Sequence, residues 1–369
     1  MADPNKPSEF SLSTFYRINA DDDLGAQNSV VKIDKKLLLD ANQLAIGPII
    51  SEGPDSIVYQ GLYRSMHVAV KVIHPDIAST MSPELQEKFS REVSMLSRVN
   101  HDNIVKFIGA IVEPTMMIIT ELMKGGTLQK FLWNFRPNCP DLKLSLTFAL
   151  EISRAMEYLH QNRIIHRDLK PSNLLLTEDK KIIKVADFGL AREEADDEMT
   201  TEAGTYRWMA PELFSTEALH VGVKKYYDHK VDVYSFSMVL WEILTNSTPF
   251  KGRNNVMVAY AAAMNRRPSM DNIPAQIAPL LESCWAKNPE DRPEFVKITQ
   301  FLENFLHSIT SPNTEPSLRE AAEYSRSKRK NHDSPATNCL MDRSKLKETK
   351  KKRRSLCFRF LQCIGVHVM

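Results

Sequence analysis

The stretch IHRDLKPSN at residues 165–173 decides the fold, because it belongs to an ordered series of short motifs. DFG at residues 187–189 follows it, and APE at residues 210–212 comes next. VAVK at residues 68–71 precedes all three. Any one of these motifs is a weak signal alone, whereas their order along one chain is highly specific.

The segments around this series predict an α+β fold. Residues 46–53, 56–63 and 67–73 alternate or cluster β-branched residues between turn-forming residues, which predicts short strands. After about residue 124 the apolar spacing is mainly helical, and VDVYSFSMVLWEIL at 231–244 is apolar nearly all round, as in a central buried helix. We therefore expect two lobes, a small β-rich lobe with one main helix and a larger, mainly helical lobe, with the chemistry between them.

The main helix of the small lobe carries a carboxylate on its apolar side. Ser82 followed by Pro83 is typical of an N-cap and a first helical position. An apolar stripe at helical spacing follows, made of Leu85, Phe89, Leu96 and Val99. Glu92 falls on the same stripe. Because a buried carboxylate is costly unless a cation meets it, we expect a basic partner for Glu92.

Composition divides the chain into three regions. The 369 residues are 43% hydrophobic and 25% charged, which is typical of a soluble globular protein. We expect an N-terminal extension over residues 1–42 and one domain over 43–307, with the small lobe and hinge at 43–123 and the large lobe at 124–307. Residues 308–369 are polar and poor in core residues, which predicts a basic, mostly disordered tail.

The charge is unevenly distributed. Residues 326–359 hold 13 Lys/Arg and three Asp/Glu, a balance of +10 in a chain of net charge +2, so the rest carries −8. The five cysteines, never spaced as C-x-x-C, are typical of free thiols in a reducing compartment. Neither an apolar signal-peptide core nor a run of about 18 uncharged apolar residues occurs, so a cytoplasmic location is expected.

The motif series resembles the protein kinase superfamily over about residues 46–307. GTYRWMAPE, DVYSFSMVLWEIL and CWAKNPEDRPEF are most similar to the tyrosine-kinase-like group, and to plant Raf-like kinases in particular. The resemblance implies transfer of the γ-phosphoryl group of MgATP to a hydroxyl of a protein substrate. HRDLKPSN with Lys170 is the pattern of serine/threonine kinases, so these are the expected acceptors, with some tyrosine phosphorylation left open.

The resemblance also implies catalytic roles. Lys71 would hold the α- and β-phosphates and pair with Glu92, the carboxylate that needs a cation. Asp168 would orient the substrate hydroxyl and accept its proton, and Lys170 would steady the γ-phosphate. These roles suit phosphoryl transfer, in which positioning and charge neutralisation account for most of the catalysis.

The nucleotide and metal sites are carried over in the same way. Asn173 and Asp187 are oxygen donors suited to Mg²⁺, with Mn²⁺ as the alternative. The implied ATP-binding residues are Ile50, Ser51, Gly53, Val58, Ala69, Lys71, Thr120, Glu121, Met123 and Leu175. Among them Thr120 is the gatekeeper, and the backbone of Glu121 and Met123 would hydrogen-bond adenine.

The glycine-rich loop departs from the family pattern. SEGPDSIV at residues 51–58 keeps only the middle of three glycines, Gly53. If Ser51 or Ser56 must adopt left-handed backbone angles, each costs roughly 1–2 kcal/mol, and ATP binds more weakly. This leaves a second hypothesis, a weakly active or inactive kinase-fold scaffold that signals by binding. The intact catalytic residues favour the enzyme.

Regulation and partners are expected from two further segments. Thr200 and Thr201 are the best acceptors for an upstream kinase or for autophosphorylation, and Arg167 would meet the phosphate, unless the acidic run EEADDE already supplies the charge. The tail joins KKKRR to apolar residues, Cys357 and Cys363. An anionic membrane surface, a nuclear-import receptor and a solvated tail remain open for it, and no specific nucleic acid partner is expected.

Overall fold

The computed structural model describes residues 33–73, 83–193, 206–213 and 228–310. Several sequence predictions lie outside these described residues: Ser82 as an N-cap, Thr200 and Thr201 as phosphate acceptors, and the basic tail with its cysteines. The chain divides into two compact units, which are treated separately below.

The first unit comprises the described residues up to 134 together with those of 154–194. It is organised by an antiparallel sheet of β1 (Leu44–Glu52), β2 (Ser56–Tyr63), β3 (Met66–Ile73), β4 (Phe107–Ile111) and β5 (Met117–Glu121). The spatial order is β1-β2-β3-β5-β4. Along β3, Val68, Val70 and Val72 are buried in the core under the sheet. Because side chains alternate along a strand, Ala69 and Lys71 lie on the opposite face.

Helix α1 (Pro83–Arg98) follows β3 along the chain and begins at Pro83, as predicted. Phe89 and Leu96 of its apolar stripe are 1% and 5% exposed. Glu92 is also only 5% exposed, which confirms that this helix buries a carboxylate.

Two small sheets hold the ends of the chemical motifs. The elements after the main sheet are β6 (Gly126–Thr127), α2 (Leu128–Phe135), α3 (Leu142–Gln161), β7 (Ile164–Ile165), β8 (Leu174–Leu176), β9 (Ile183–Val185) and β10 (Arg192–Glu193). β6, β8 and β9 form one sheet, and β7 pairs with β10. The segment from His166 to Asn173 is therefore fixed between β7 and β8, and DFG between β9 and β10.

The end of the predicted N-terminal extension packs on the edge of the main sheet. The Leu39 N–H donates to the Ala110 carbonyl at 2.8 Å. Gly109 allows this approach, because a Cβ there would lie 2.5 Å from Leu39 Cγ. Residues just before 43 thus contribute to the folded domain.

The second unit comprises the described residues of 135–153 and those after 195. Its helices, apart from the start of α3, are α4 (Lys230–Thr245), α5 (Asn255–Ala263), α6 (Ala278–Cys284) and α7 (Phe295–Thr310). Every residue of α4 from Lys230 to Leu244 is buried, which confirms the predicted central helix. Phe236 of α4 meets Phe295 of α7 edge to face, with ring centroids 5.5 Å apart.

A buried ion pair ties the APE motif to this unit. The guanidinium of Arg292, 1% exposed, donates to both carboxylate oxygens of Glu212 at 2.5 and 2.9 Å. The sheet with its long helix and the mainly helical remainder confirm the predicted α+β fold. Within the described ranges, no helix combines the length and apolar character needed to cross a membrane.

Candidate functional site

A three-residue charge cluster lies on the open face of the main sheet. Lys71 Nζ is 2.7 Å from Glu92 Oε1 and 3.0 Å from Glu92 Oε2. The same nitrogen is 3.1 Å from Asp187 Oδ1. The cation expected for Glu92 on α1 is therefore Lys71 of β3, which precedes it by 21 residues in the sequence.

The protonation of this cluster follows from its burial and charges. Burial alone would lower the pKa of Lys71, but the carboxylates of Asp187 and Glu92 outweigh it and raise that pKa. The Lys71 ammonium holds the pKa of Asp187 well below its usual range, against burial. Burial raises the pKa of Glu92, and Lys71 opposes that rise. Lys71 is thus held as a cation beside an ionised Asp187.

Asp168 offers one occupied and one open carboxylate oxygen. Its Oδ2 accepts from Lys170 Nζ at 2.6 Å and from Asn173 Nδ2 at 2.8 Å. Its Oδ1 is buried and has no hydrogen-bond partner in the part of the chain that the structure describes. Buried polar atoms are nearly always hydrogen-bonded, so an orphaned oxygen indicates a site for an incoming donor.

His166 holds the backbone at Asp168, and two residues of the site have strained backbones. The Asp168 N–H donates to His166 Nδ1 at 3.3 Å, so the ring proton is on Nε2, which donates to the Ala186 carbonyl at 3.2 Å. Arg167 and Asp187 have left-handed backbones, with φ of 68° and 65°. Such angles cost non-glycine residues roughly 1–2 kcal/mol each and occur where a site demands them.

The oxygen atoms of Asn173 and Asp187 fit a hard divalent cation. The Asn173 amide nitrogen donates to the Asp168 carbonyl and carboxylate, so its Oδ1 points the other way. Asp187 Oδ1 accepts hydrogen bonds from Lys71 Nζ and from the Gly189 N–H, and no described residue donates to Oδ2. The Asp187 side chain is 44% exposed, which leaves that ionised oxygen accessible. One carboxylate and one amide oxygen are ligands that Mg²⁺ accepts alongside phosphates and water.

Strand pairing brings the predicted ATP-binding residues of the sheet together. Val58 lies opposite Lys71, and Ala69 lies opposite Thr120. Cross-strand partners and residues two apart share a face, so all four residues line the face opposite the buried valines. Ser51 pairs with Val58 and extends this row to β1.

The segment after β5 is held by backbone contacts. The Gly125 N–H donates to the Leu176 carbonyl at 3.0 Å, and a Cβ at Gly125 would lie 2.0 Å from the Thr177 carbonyl oxygen. Strand β6 then pairs with β8, placing Thr127 opposite Leu175. The half-buried Met123 is tied in by its carbonyl, which accepts from the Gly126 N–H at 3.4 Å.

The side chain of Glu121 has a partner that sequence reasoning missed. Its Oε1 accepts from Lys184 Nζ and from the Lys106 N–H, both at 2.7 Å. Lys184 lies on β9, three residues before Asp187. The only sequence signal for this contact is that Lys184 stands between the apolar residues Ile183 and Val185 of β9, and this alternation does not identify a partner.

The altered glycine loop is an ordinary tight turn. Neither Ser51 nor Ser56 is among the described residues with a left-handed backbone, so this conformation of the loop does not carry the strain considered for them. The Gly53 N–H donates to the Ser56 carbonyl at 2.9 Å and closes the turn. Asp55 in this turn pairs with Lys88 of α1 at 2.6 Å, a contact that the motif pattern did not predict.

The second unit holds a further polar cluster before the APE motif. Arg207 donates to the carbonyls of Pro249, Phe250 and Arg253 at 2.7 to 3.0 Å. Trp208 Nε1 donates to Glu242 Oε2 at 3.1 Å. These residues have no catalytic motif of their own, so sequence reasoning missed them.

A second arginine lies near Glu242, which is 2% exposed. Arg136 Nη2 lies 3.7 Å from its Oε1. Burial raises the pKa of Glu242 to about 7, although Trp208, Arg136 and Arg207 all favour its ionised form.

Comparisons with known proteins agree with this geometry. A family model described as protein tyrosine and serine/threonine kinase matches residues 44–302. The serine/threonine/tyrosine-protein kinase HT1 of Arabidopsis thaliana is 42% identical over 271 residues, which are 72% of this chain and 67% of HT1. The serine/threonine-protein kinases STY17 and STY46 of the same plant are 38% and 37% identical, over 73% and 75% of this chain.

The chain covers unequal shares of these relatives. It spans about two thirds of HT1 but only 46% of STY17 and 47% of STY46. The family model nevertheless matches well over half of the chain, including all four motifs. The chain belongs to the protein tyrosine and serine/threonine kinase family.

Proposed function

We propose that this protein is an ATP-dependent serine/threonine protein kinase that acts in intracellular signalling. The single observation that carries the proposal is the state of Asp168. Its Oδ1 is buried without a partner, while Lys170 and Asn173 hold its Oδ2. The open oxygen is where the hydroxyl of a protein substrate would donate its hydrogen.

The neighbouring residues divide the remaining work. Lys71, kept cationic by Glu92 and Asp187, binds the α- and β-phosphates of ATP. Lys170, 2.6 Å from Asp168, neutralises charge on the transferred γ-phosphoryl group. Asp168 orients the acceptor hydroxyl and takes its proton as the bond to phosphorus forms and the bond to the leaving ADP oxygen breaks.

Membership of the family implies ATP and a divalent metal ion. We assign the metal to Mg²⁺, with Mn²⁺ as the alternative, held by Asn173 Oδ1 and the second oxygen of Asp187. When bound, the ion neutralises phosphate charge and orients the γ-phosphate. The oxygen-only donor set supports either ion and excludes a thiolate-type zinc site here.

Lys170 and the names of the similar plant kinases support serine and threonine as the main acceptors. HT1 also carries tyrosine in its name, which keeps minor tyrosine phosphorylation within the proposal. The scaffold hypothesis rested on the altered glycine loop, in which neither Ser51 nor Ser56 has a left-handed backbone. The enzyme is therefore the better reading of the site.

Regulation and location remain part of the proposal. Thr200 and Thr201 are proposed acceptors for an upstream kinase or for autophosphorylation. We assign the protein to the cytoplasm and propose that its basic tail binds an anionic membrane or a nuclear-import receptor. Imaging the tagged full chain against one cut at residue 340 tests the tail, since identical distributions would remove both partners.

The function is tested with the purified full chain, labelled ATP, Mg²⁺ or Mn²⁺ and a generic basic protein, followed by phosphoamino-acid analysis. Labelled phosphoserine and phosphothreonine are expected, and Asp168→Asn should lower their amounts at least about 100-fold. ATP binding without any transfer by the unaltered chain would instead support the scaffold. Mainly phosphotyrosine would overturn the assigned specificity.

A further inference from the structure

The turn between β1 and β2 is tied to helix α1 by an ion pair outside the set of ATP-binding residues considered above. Asp55 Oδ2 lies 2.6 Å from Lys88 Nζ. Lys88 stands four residues before Glu92, and residues at this spacing share one helix face. The pair therefore connects the loop to the same helix face that presents Glu92 to Lys71.

The charge of Asp55 makes this contact more than a surface detail. In protein kinases the loop at this place covers the phosphates of ATP, and a carboxylate there repels a triphosphate. Lys88 neutralises that carboxylate. Its positive charge also reaches Glu92, whose pKa it lowers against the effect of burial.

The local backbone shows why such a tie is useful in this chain. The turn is closed by the bond from Gly53 N–H to the Ser56 carbonyl, and Pro54 stiffens it further. Strand pairing is irregular just before it, between Ile49 and Ser51. Because the turn is stiff, a single contact at Asp55 can set its position.

We propose that Asp55 and Lys88 form a positioning pair, which couples the phosphate-covering turn to helix α1 and shields the Asp55 carboxylate from ATP. The inference rests on the proposed kinase function. It makes ATP binding depend on the placement of the helix that carries Glu92. Neither residue touches a reacting atom, so the pair acts on nucleotide binding more than on the chemical step.

Substitution of Lys88 should change the KM for ATP more than substitution of Asp55. Lys88→Met leaves the Asp55 carboxylate uncompensated and should raise the KM for ATP about 3- to 5-fold, since exposed pairs contribute up to about 1 kcal/mol. Asp55→Asn removes both attraction and repulsion and should change the KM less. In the double variant, Asp55→Asn should therefore recover much of the loss caused by Lys88→Met.

The test measures KM and kcat for ATP with the full chain carrying Lys88→Met, Asp55→Asn, both, or the exchange Asp55→Lys with Lys88→Asp. Arg91→Met is the matched control, because Arg91 pairs with Glu87 on the same helix and does not contact the turn. We expect kcat to change less than about twofold, and the KM effect to shrink at high salt, where exposed charges are screened. If Lys88→Met fails to fold, Asp55→Asn and the exchanged pair carry the same comparison.

The outcomes separate cleanly. Recovery in the double or exchanged variant, with no effect of Arg91→Met, supports the pair. Additive effects, or a KM for Lys88→Met equal to that of the unaltered chain, would overturn it. Should the unaltered chain transfer no phosphate, the proposed function fails, and the shift of melting temperature by MgATP across the same variants still tests the pair.

Discussion

Lys71 and Glu92 are joined by two short contacts, at 2.7 and 3.0 Å, in a place where Glu92 is almost fully buried. Lys71→Met removes the cation and should lower phosphate transfer at least about 100-fold, the scale of losing one preorganised charged donor. The chain should still melt cooperatively. Radiolabel transfer and a thermal melt check both, and near-normal turnover with a normal melt would contradict the role of Lys71.

Asp168→Asn keeps the shape of the side chain but removes its proton-accepting charge. General-base contributions are about 10²- to 10⁴-fold, so turnover should fall within that range while MgATP binding remains. Single-turnover transfer and a thermal-shift titration with MgATP measure the two effects separately. Asp179→Asn, in an exposed turn, is the matched control. Loss of MgATP binding in Asp168→Asn would show that the residue serves the nucleotide and not the acceptor hydroxyl.

The serines of the altered loop do not carry left-handed angles, so glycine offers them no relief of strain. Ser51→Gly with Ser56→Gly should instead raise the KM for ATP by about 2- to 5-fold per glycine, because each glycine costs roughly 0.5–1 kcal/mol of extra backbone freedom at strand positions. The alanine pair should stay close to the unaltered chain. A lower KM in the glycine variant would mean that strain develops when the loop closes over ATP.

Glu242 should make stability depend on pH. Its pKa is raised to about 7 in the folded protein, so its protonated form stabilises the fold at acidic pH. This stabilisation is lost as the pH rises through 7. Glutamine does not titrate, so the free energy of unfolding of Glu242→Gln should not fall in this way. As the pH rises from about 5.5 to about 8, the stability of the variant should therefore increase by roughly 2 kcal/mol relative to that of the unaltered chain.

Denaturant titrations at the two pH values measure that gain, with the exposed Glu282→Gln as the control. A constant difference between Glu242→Gln and the unaltered chain at both values would show that the Arg136 and Arg207 charges already hold Glu242 ionised.

Sequence reasoning reached the parts of the site that depend on local pattern. The buried position of Glu92 followed from helical spacing, and the need for a cation followed from its charge, whereas Lys71 was named as that cation from the family resemblance. The burial of α4 followed from its uninterrupted apolar run. These inferences succeed because strands and helices repeat with fixed periods.

The contacts that were missed join residues that are far apart in the sequence. Arg207 reaches carbonyls 42 to 46 residues away, and Lys184 reaches Glu121 over 63 residues. These separations do not follow from the period of a helix or a strand, and each charged residue has many candidate partners in the sequence. Asp55 and Lys88 were equally unpredictable, because a turn has no periodicity that would aim a carboxylate at a particular helix.

The close approach of Gly125 to Thr177 has a consequence for small molecules that compete with ATP. The chain after β5 meets the β8 segment through backbone atoms, so the spacing between Gly125 and the end of β8 is set by peptide geometry. Changes of side chain cannot widen that gap. Inhibitor selectivity should accordingly depend on side chains such as Thr120, which lies opposite Ala69 on the face of the sheet that carries Lys71.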